Sequence, residues 1–358
     1  MSTADLPRRV EVGEDPGVTS PRPIPGATGS RGPLRPIGAG RAVAVLVLVA
    51  LAASIPLLGP SAALHGTGEA EVPGAGGMAL LRTVLFAALC IPVGELFVNR
   101  LARSLPGTRA GPPALPRSWS PVAAAAGFVA ALGLATLVAT GNLVPGEVAD
   151  IDVGGLYASR DGKLALLEVN AFLAAGLCAV SRRPATQVWP LAALVVAEAL
   201  RAHPTTEQSP LTGSALTLVH LTCAALWVGG LLHALRVLRL WSGRGGTAAG
   251  AALLGHYARV AVVLLAAITA TGVCSSLRRM PPETVLEQLT GTAYGRALLA
   301  KVLLVVVVAT LAAWARRRLR RAADPLTACA PARAEVAALG LAVAASGLLT
   351  VLPVPIRW

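Results

Sequence analysis

The chain has few charged side chains and lacks the short motifs that mark common enzymes. Only 14% of its 358 residues are charged, and no stretch between its apolar runs has the composition of a soluble domain. It contains no Walker A sequence, no GxGxxG after a strand, no HExxH and no GxSxG. Nothing therefore indicates a hydrolase or an ATP-driven pump, and we expect a protein without enzymatic activity.

Sulfur is also scarce. The chain has five cysteines and three methionines, and no two cysteines form a CxxC. All the cysteines except Cys329 fall in apolar runs, where a free cysteine mostly behaves as a small apolar residue. This pattern argues against a disulfide framework.

Long apolar runs are abundant. Hydrophobic residues make up 54% of the chain, and runs of roughly 17–25 apolar residues are long enough to cross a bilayer as a helix. The sequence predicts an all-α, polytopic transmembrane helix bundle that is embedded in the lipid bilayer. We place about nine helices, the fifth of them short, near residues 42–59, 79–99, 121–141, 164–180, 188–202, 212–236, 254–277, 295–315 and 334–353.

The net charge is +13, and the basic residues are distributed along the chain as in a multi-pass membrane protein. With the odd-numbered helices running outward, the tail and inner segments hold 22 of the 31 Lys and Arg residues, and the outer segments hold 9. Acidic residues show the opposite distribution, 7 inside and 11 outside. The positive-inside rule then predicts a cytoplasmic N-terminus and an outer C-terminus in the cell membrane. Because the charge is spread over several short loops, we expect no nucleic-acid partner.

Three regions are expected along the chain. Residues 1–40 are rich in Pro, Gly, Ser and Arg and predict a disordered cytoplasmic tail. A signal peptide cleaved after Ser61-Ala-Ala63 is the competing interpretation, although the tail is long for the segment that precedes such a peptide. Residues 41–200 are interpreted as N-terminal transmembrane helices, and residues 201–358 as a second transmembrane domain.

The most informative stretch runs from Leu218 to Gly230 and holds polar residues within an apolar run. Lipid offers an imidazole no water, so His220 needs a partner inside the protein and marks a functional site by default. At about 100° per residue, Thr217, His220, Cys223 and Trp227 share one helical face. Gly229 and Gly230 are expected to let a neighbouring helix approach closely.

Candidate metal ligands gather at the predicted outer side. They are His203, His220, Cys223 and Glu198, and imidazole with sulfur favours copper or zinc. Each has a simpler alternative: a hydrogen bond from His220 to another helix, a helix cap for His203, packing for Cys223 and an ion pair between Glu198 and Arg201. These alternatives stay open from sequence.

The order of several motifs resembles the copper-resistance D (CopD/PcoD) family over about residues 195–355. The matching segments are His203-Pro204, His220-Leu-Thr-Cys-Ala-Ala-Leu-Trp227-Val-Gly-Gly230, His256-Tyr-Ala-Arg259 and Thr290-Gly-Thr-Ala-Tyr294-Gly-Arg296 followed by Lys301. The chain departs from the family where Ala258 replaces a serine, and its three methionines are few for a Cu(I) transporter.

The resemblance implies copper transport or copper handling across the membrane, contributing to copper homeostasis or resistance. It carries over His203 and His220 as copper-contacting positions, and Lys301 and Trp227 as signature positions. Members of this family often work with a periplasmic copper-binding β-sandwich protein, CopC. No such domain occurs in this sequence, so that partner is expected as a separate chain.

A haem-b membrane cytochrome is the alternative function of a different class. His233 and His256 lie near the predicted inner ends of adjacent helices, where two imidazoles can act as axial haem ligands.

Overall fold

The computed structural model describes residues 39–70, 72–105, 114–141, 147, 152–203, 209–242, 246–280, 282–321 and 329–354. Every regular element among these residues is helical. Two short 3₁₀ segments, Pro184–Gln187 and Pro282–Thr284, accompany the α-helices. The α-helices are α1 (Ala39–Leu64), α2 (Ala75–Arg103), α3 (Ser120–Ala139), α4 (Val153–Ala158), α5 (Arg160–Val180), α6 (Val188–Arg201), α7 (Pro210–Ser242), α8 (Thr247–Arg279), α9 (Val285–Gly291), α10 (Ala293–Arg321) and α11 (Cys329–Leu349).

All these helices except the short α4 and α9 correspond, in order, to the nine predicted from the apolar runs. The all-α helical bundle is therefore confirmed. Eight of the nine are long and apolar enough to cross a membrane, and α6 is the exception. Its 14 residues extend about 21 Å at 1.5 Å per residue, which is less than the roughly 30 Å hydrocarbon core.

Much of the surface of the bundle is apolar, and its interior holds several charged groups. Val262, Val263, Leu303 and Val306 are each more than half exposed, as lipid-facing side chains are expected to be. The buried polar residues lie between helices instead, and they include Glu95, Glu168, Glu198, His203, His233 and Glu335. This distribution is what a bilayer selects, because a polar group facing lipid has no hydrogen-bonding partner.

Helix α2 has a central place in the packing, since it contacts α3, α7 and α11. Its closest approach is to α7, where two glycines meet. A Cβ on Gly94 would lie 2.0 Å from the carbonyl carbon of Gly229, and a Cβ on Gly229 would lie 1.7 Å from the carbonyl oxygen of Cys90. On Gly230 a Cβ would lie 2.8 Å from the Tyr257 ring. The prediction that Gly229 and Gly230 permit close helix approach is confirmed.

Ala44–Trp358 form one compact unit. Helices α2 and α7, which lie on either side of the predicted boundary between residues 200 and 201, pack together within it. The predicted tail lies outside the described residues apart from residues 39 and 40. The division into three regions stays a prediction.

Candidate functional site

A cavity of about 440 Å³ lies among α2, α6, α7, α8, α10 and α11, and we call it the central cavity. Each of the longer helices contributes one stripe of side chains at helical spacing. On α7 the stripe is Thr217, His220, Ala224 and Trp227, which is the predicted polar face except for Cys223. The cavity reaches the end of the bundle where Glu198 lies, and we call this the Glu198 end.

The contacts of His220 favour one tautomer. Its Nδ1 lies 3.0 Å from Oγ1 of Thr271 on α8, and that hydroxyl donates its single proton to the Ala267 carbonyl at 2.7 Å. Carbonyl oxygens can only accept, so we assign the hydroxyl proton to Ala267 and the donor role at the 3.0 Å contact to His220 Nδ1–H. The proton on Nδ1 leaves a lone pair on Nε2, for which the described residues offer no hydrogen-bond partner. A neutral imidazole held in this way is the arrangement used by metal-ligating histidines.

His203 lies beside the same stripe but does not line the cavity. Its ring is buried, and its Nε2 is 2.9 Å from Oγ1 of Thr217. Thr217 precedes His220 by three residues, which is nearly one helical turn. A Cβ on Gly213 would lie 2.4 Å from His203 Nδ1, so the imidazole occupies the space that a larger residue would need. The structure thus brings both predicted histidines to one face of α7.

Glu198 is held by an arginine that the sequence analysis did not consider. Arg82 Nη1 donates to both carboxylate oxygens of Glu198, each at 2.7 Å. The proposed partner Arg201 is wrong: its Nη2 lies 2.8 Å from Glu168 Oε2, as an ion pair without an aligned hydrogen bond. Two cation–carboxylate pairs therefore stand side by side at the Glu198 end, because α2, α5 and α6 meet there.

The two cysteines of this region differ in their surroundings. Cys223 is half-buried and packs against the apolar cluster around Trp227 and Leu231, so it does not line the cavity. Cys90 on α2 is buried and does line it, although the sequence alone marked it only as a small apolar residue. Within the part of the chain that the structure describes, no three His, Cys, Asp or Glu side chains are grouped closely enough to enclose a metal ion.

The α8 and α10 wall of the cavity is cationic. Arg279, Tyr294 and Lys301 line it, and Arg279 Nη1 donates to the Tyr294 hydroxyl at 3.0 Å. Trp227 and Lys301, the two signature positions of the family resemblance, thus face the same space. Among the described residues of the lining there is one carboxylate, Glu198, and that group is already paired with Arg82.

A second polar centre lies at the opposite end of α2, around Glu95. Glu95 Oε1 accepts from the Trp119 amide and from Arg236 Nη1, each at 2.8 Å, and Oε2 accepts from the Ser118 and Ser120 hydroxyls. The Arg236 guanidinium also stacks on the Trp119 ring at 3.7 Å. Sequence reasoning missed Glu95, although a carboxylate inside an apolar run is the same signal that singled out His220.

The haem alternative is not favoured by this centre. His233 Nε2 lies 2.9 Å from Asn99 Oδ1, and Arg236 Nη1 lies 3.4 Å from His233 Nδ1. Arginine can only donate, so both nitrogens of His233 are engaged and neither is open to an iron atom. His256 Nδ1 lies 3.1 Å from the Ala252 carbonyl of its own helix.

These features define a multi-pass helical membrane protein with polar groups enclosed between its helices. Residues 251–353 match the family described as copper resistance protein D, which supports the resemblance seen in the sequence. The match includes the Thr271, Arg279 and Lys301 positions, whereas His203 and His220 precede it. No match was found among the curated proteins or among the solved structures.

Proposed function

We propose that this protein carries copper across the cell membrane, or holds it there, in copper homeostasis or resistance. Copper is the substrate, and its proposed contact on the wall of the central cavity is Nε2 of His220. The observation that carries the proposal is the 3.0 Å contact between His220 Nδ1 and Thr271 Oγ1 at the wall of the central cavity. The family match over residues 251–353 supports copper as the metal.

The proposed route begins at the Glu198 end, which the positive-inside rule places outside the cell. His203 contacts Thr217 at this end, and His220 follows one turn deeper along α7. Cys90 offers a sulfur ligand on the facing wall, and sulfur with imidazole suits Cu(I) better than hard cations. Cys223 and Glu198 stay candidate ligands, but Glu198 would have to release Arg82 first.

No ATP-hydrolysis motif occurs in the sequence, so the proposed driving force is a copper gradient, the membrane potential or a coupled ion. A separate periplasmic copper-binding β-sandwich protein of the CopC kind is the proposed partner. It would deliver copper to, or receive it from, the Glu198 end.

The test is metal analysis of the purified protein together with cellular copper accumulation. His220→Ala and His203→Ala should each abolish bound copper and the copper-dependent phenotype, while membrane insertion stays normal. His256→Ala is the matched control, since the hydrogen bond that the described residues give His256 lies within its own helix, and it should behave like wild type. Loss of copper handling with His256 or His233 variants alone would contradict the outer site.

A further inference from the structure

Two cationic side chains of the central cavity differ from the others in having no carboxylate partner. Arg82 and Arg201 are paired with Glu198 and Glu168. For Lys301 and Arg279, the described residues place no carboxylate oxygen within 4.0 Å. The Lys301 ammonium also has no hydrogen bond to a described residue.

Lys301 carries the argument more strongly than Arg279. Arg279 is the last residue of α8, where the negative end of the helix dipole favours a cation, and its guanidinium donates to Tyr294. Lys301 lies eight residues into α10 from Ala293, near the positive end of that helix. Neither its own helix nor a neighbouring acid offsets its charge.

The two cations lie along one wall. Tyr294 and Lys301 are seven residues apart, which is close to two full turns, so they share the face of α10 that lines the cavity. Arg279 is joined to Tyr294 by its hydrogen bond. A charged side chain between transmembrane helices is costly unless it is paired, so this wall favours a counter-charge that the described residues do not supply.

We propose that the central cavity binds an oxyanion of the carboxylate or phosphate class between Lys301 and Arg279. A guanidinium fork and an ammonium group together match the geometry and charge of such oxygens. The cavity volume of about 440 Å³ falls in the range of small-molecule sites. The same chemistry is supplied by a small soluble anion or by the headgroup of an anionic lipid.

This site does not depend on copper being the substrate. It does bear on copper entry, because a metal cation that approaches His220 meets the same two unpaired positive charges. A bound oxyanion offsets that repulsion and accompanies the metal in the cavity.

The chain has two lysines, Lys163 and Lys301, and this allows a matched control. Lys163 is exposed near the start of α5, so Lys163→Gln removes the same charge from outside the cavity. The copper-free protein, purified in detergent, is titrated with sodium phosphate and with sodium succinate at constant ionic strength. Thermal unfolding reports binding, since a ligand that binds only the folded state raises Tm.

Wild type and Lys163→Gln should show a saturable rise in Tm with at least one of the two anions. Lys301→Gln should weaken the apparent affinity about tenfold or more, the loss expected for a charged hydrogen bond. Lys301→Arg should keep most of the affinity for the anion. Arg279→Gln should weaken binding as well, and it provides a second variant if Lys301→Gln fails to fold.

A lipid headgroup is distinguished by native mass spectrometry of protein taken from vesicles with and without phosphatidylglycerol. A retained phosphatidylglycerol molecule in wild type and Lys163→Gln, lost in Lys301→Gln, identifies the lipid as the source. The proposal is overturned if wild type shows neither an anion-dependent Tm nor a retained anionic lipid. It is also overturned if the two lysine variants behave alike. Because no copper is present, these outcomes are independent of copper transport.

Discussion

Arg82 of α2 and Glu198 of α6 form a tight ion pair in which one guanidinium nitrogen lies 2.7 Å from both carboxylate oxygens. The two residues are 116 positions apart in the chain. Their side chains are largely buried, with relative exposures of 15% and 7%. The pair fastens α2 to α6 at the mouth of the central cavity, and it makes Glu198 a structural group before it can be a metal ligand.

Breaking this pair from one side should destabilise the protein strongly. Glu198→Gln leaves Arg82 buried without its counter-charge, and the free energy of unfolding should fall by about 3–5 kcal/mol. Unfolding of the detergent-solubilised protein measures this loss. The double variant Arg82→Gln, Glu198→Gln should recover much of the lost free energy of unfolding. If Glu198→Gln instead loses copper at unchanged stability, Glu198 is a ligand and not a structural partner.

The hydrogen bond from His220 to Thr271 should govern copper affinity. Thr271→Val keeps the side-chain shape but removes the acceptor for Nδ1–H, so the ring loses its fixed orientation and tautomer. The expected effect is a weakening of copper binding by about 10–100-fold, measured by competition with a chelator of known affinity. Thr222→Val is the control, because the Thr222 hydroxyl is exposed and bonds only its own helix. Equal affinities in the two variants would disprove the positioning role of Thr271.

The glycine contact between α2 and α7 should tolerate no side chain. Gly229→Ala places a Cβ 1.7 Å from the Cys90 carbonyl oxygen, so the yield of folded protein should fall sharply. Gly255→Ala, in α8, is the matched control because nothing lies within 4 Å of its added Cβ. That variant should be neutral, or more stable by up to about 1 kcal/mol, because alanine restricts the unfolded chain. Normal accumulation of Gly229→Ala without copper handling would mean that the glycine acts in function.

The orientation of the bundle is tested by reporter fusions. Fusions after Arg183 and Arg321 should report the cytoplasm, and a fusion after Asp152 should report the outside, because the inner segments hold 22 of 31 basic residues. A cytoplasmic signal after Asp152 would contradict the nine-span arrangement, and with it the position of the Glu198 end.

The number and order of the helices could be predicted from sequence because a bilayer demands about twenty apolar residues for each crossing. The face of α7 that carries His220 could be predicted for a similar reason, since 3.6-residue periodicity is local. The residues that contact this face from other helices could not be predicted. Thr271 contacts His220 from another helix 51 residues further along the chain, and hydrophobicity does not encode which helices become neighbours.

Glu198 illustrates the same limit. Local spacing favoured Arg201, three residues away on the same helix, yet Arg201 turns to Glu168 and Glu198 turns to Arg82. Helical periodicity likewise favoured Cys223 as a candidate ligand, because it shares a face with His220, yet Cys90 lines the cavity and Cys223 does not.

The crossing of α2 and α7 at Gly94 and Gly229 limits how this protein can move. Backbone touches backbone there, so no side chain at the crossing can rotate aside to open a gap. A solute leaving the cavity toward Glu95 cannot pass between these two helices unless they separate as whole bodies. Helices α8 and α10 line the cavity away from this crossing, so we expect the gate of any transport cycle on the side of the bundle that carries Lys301.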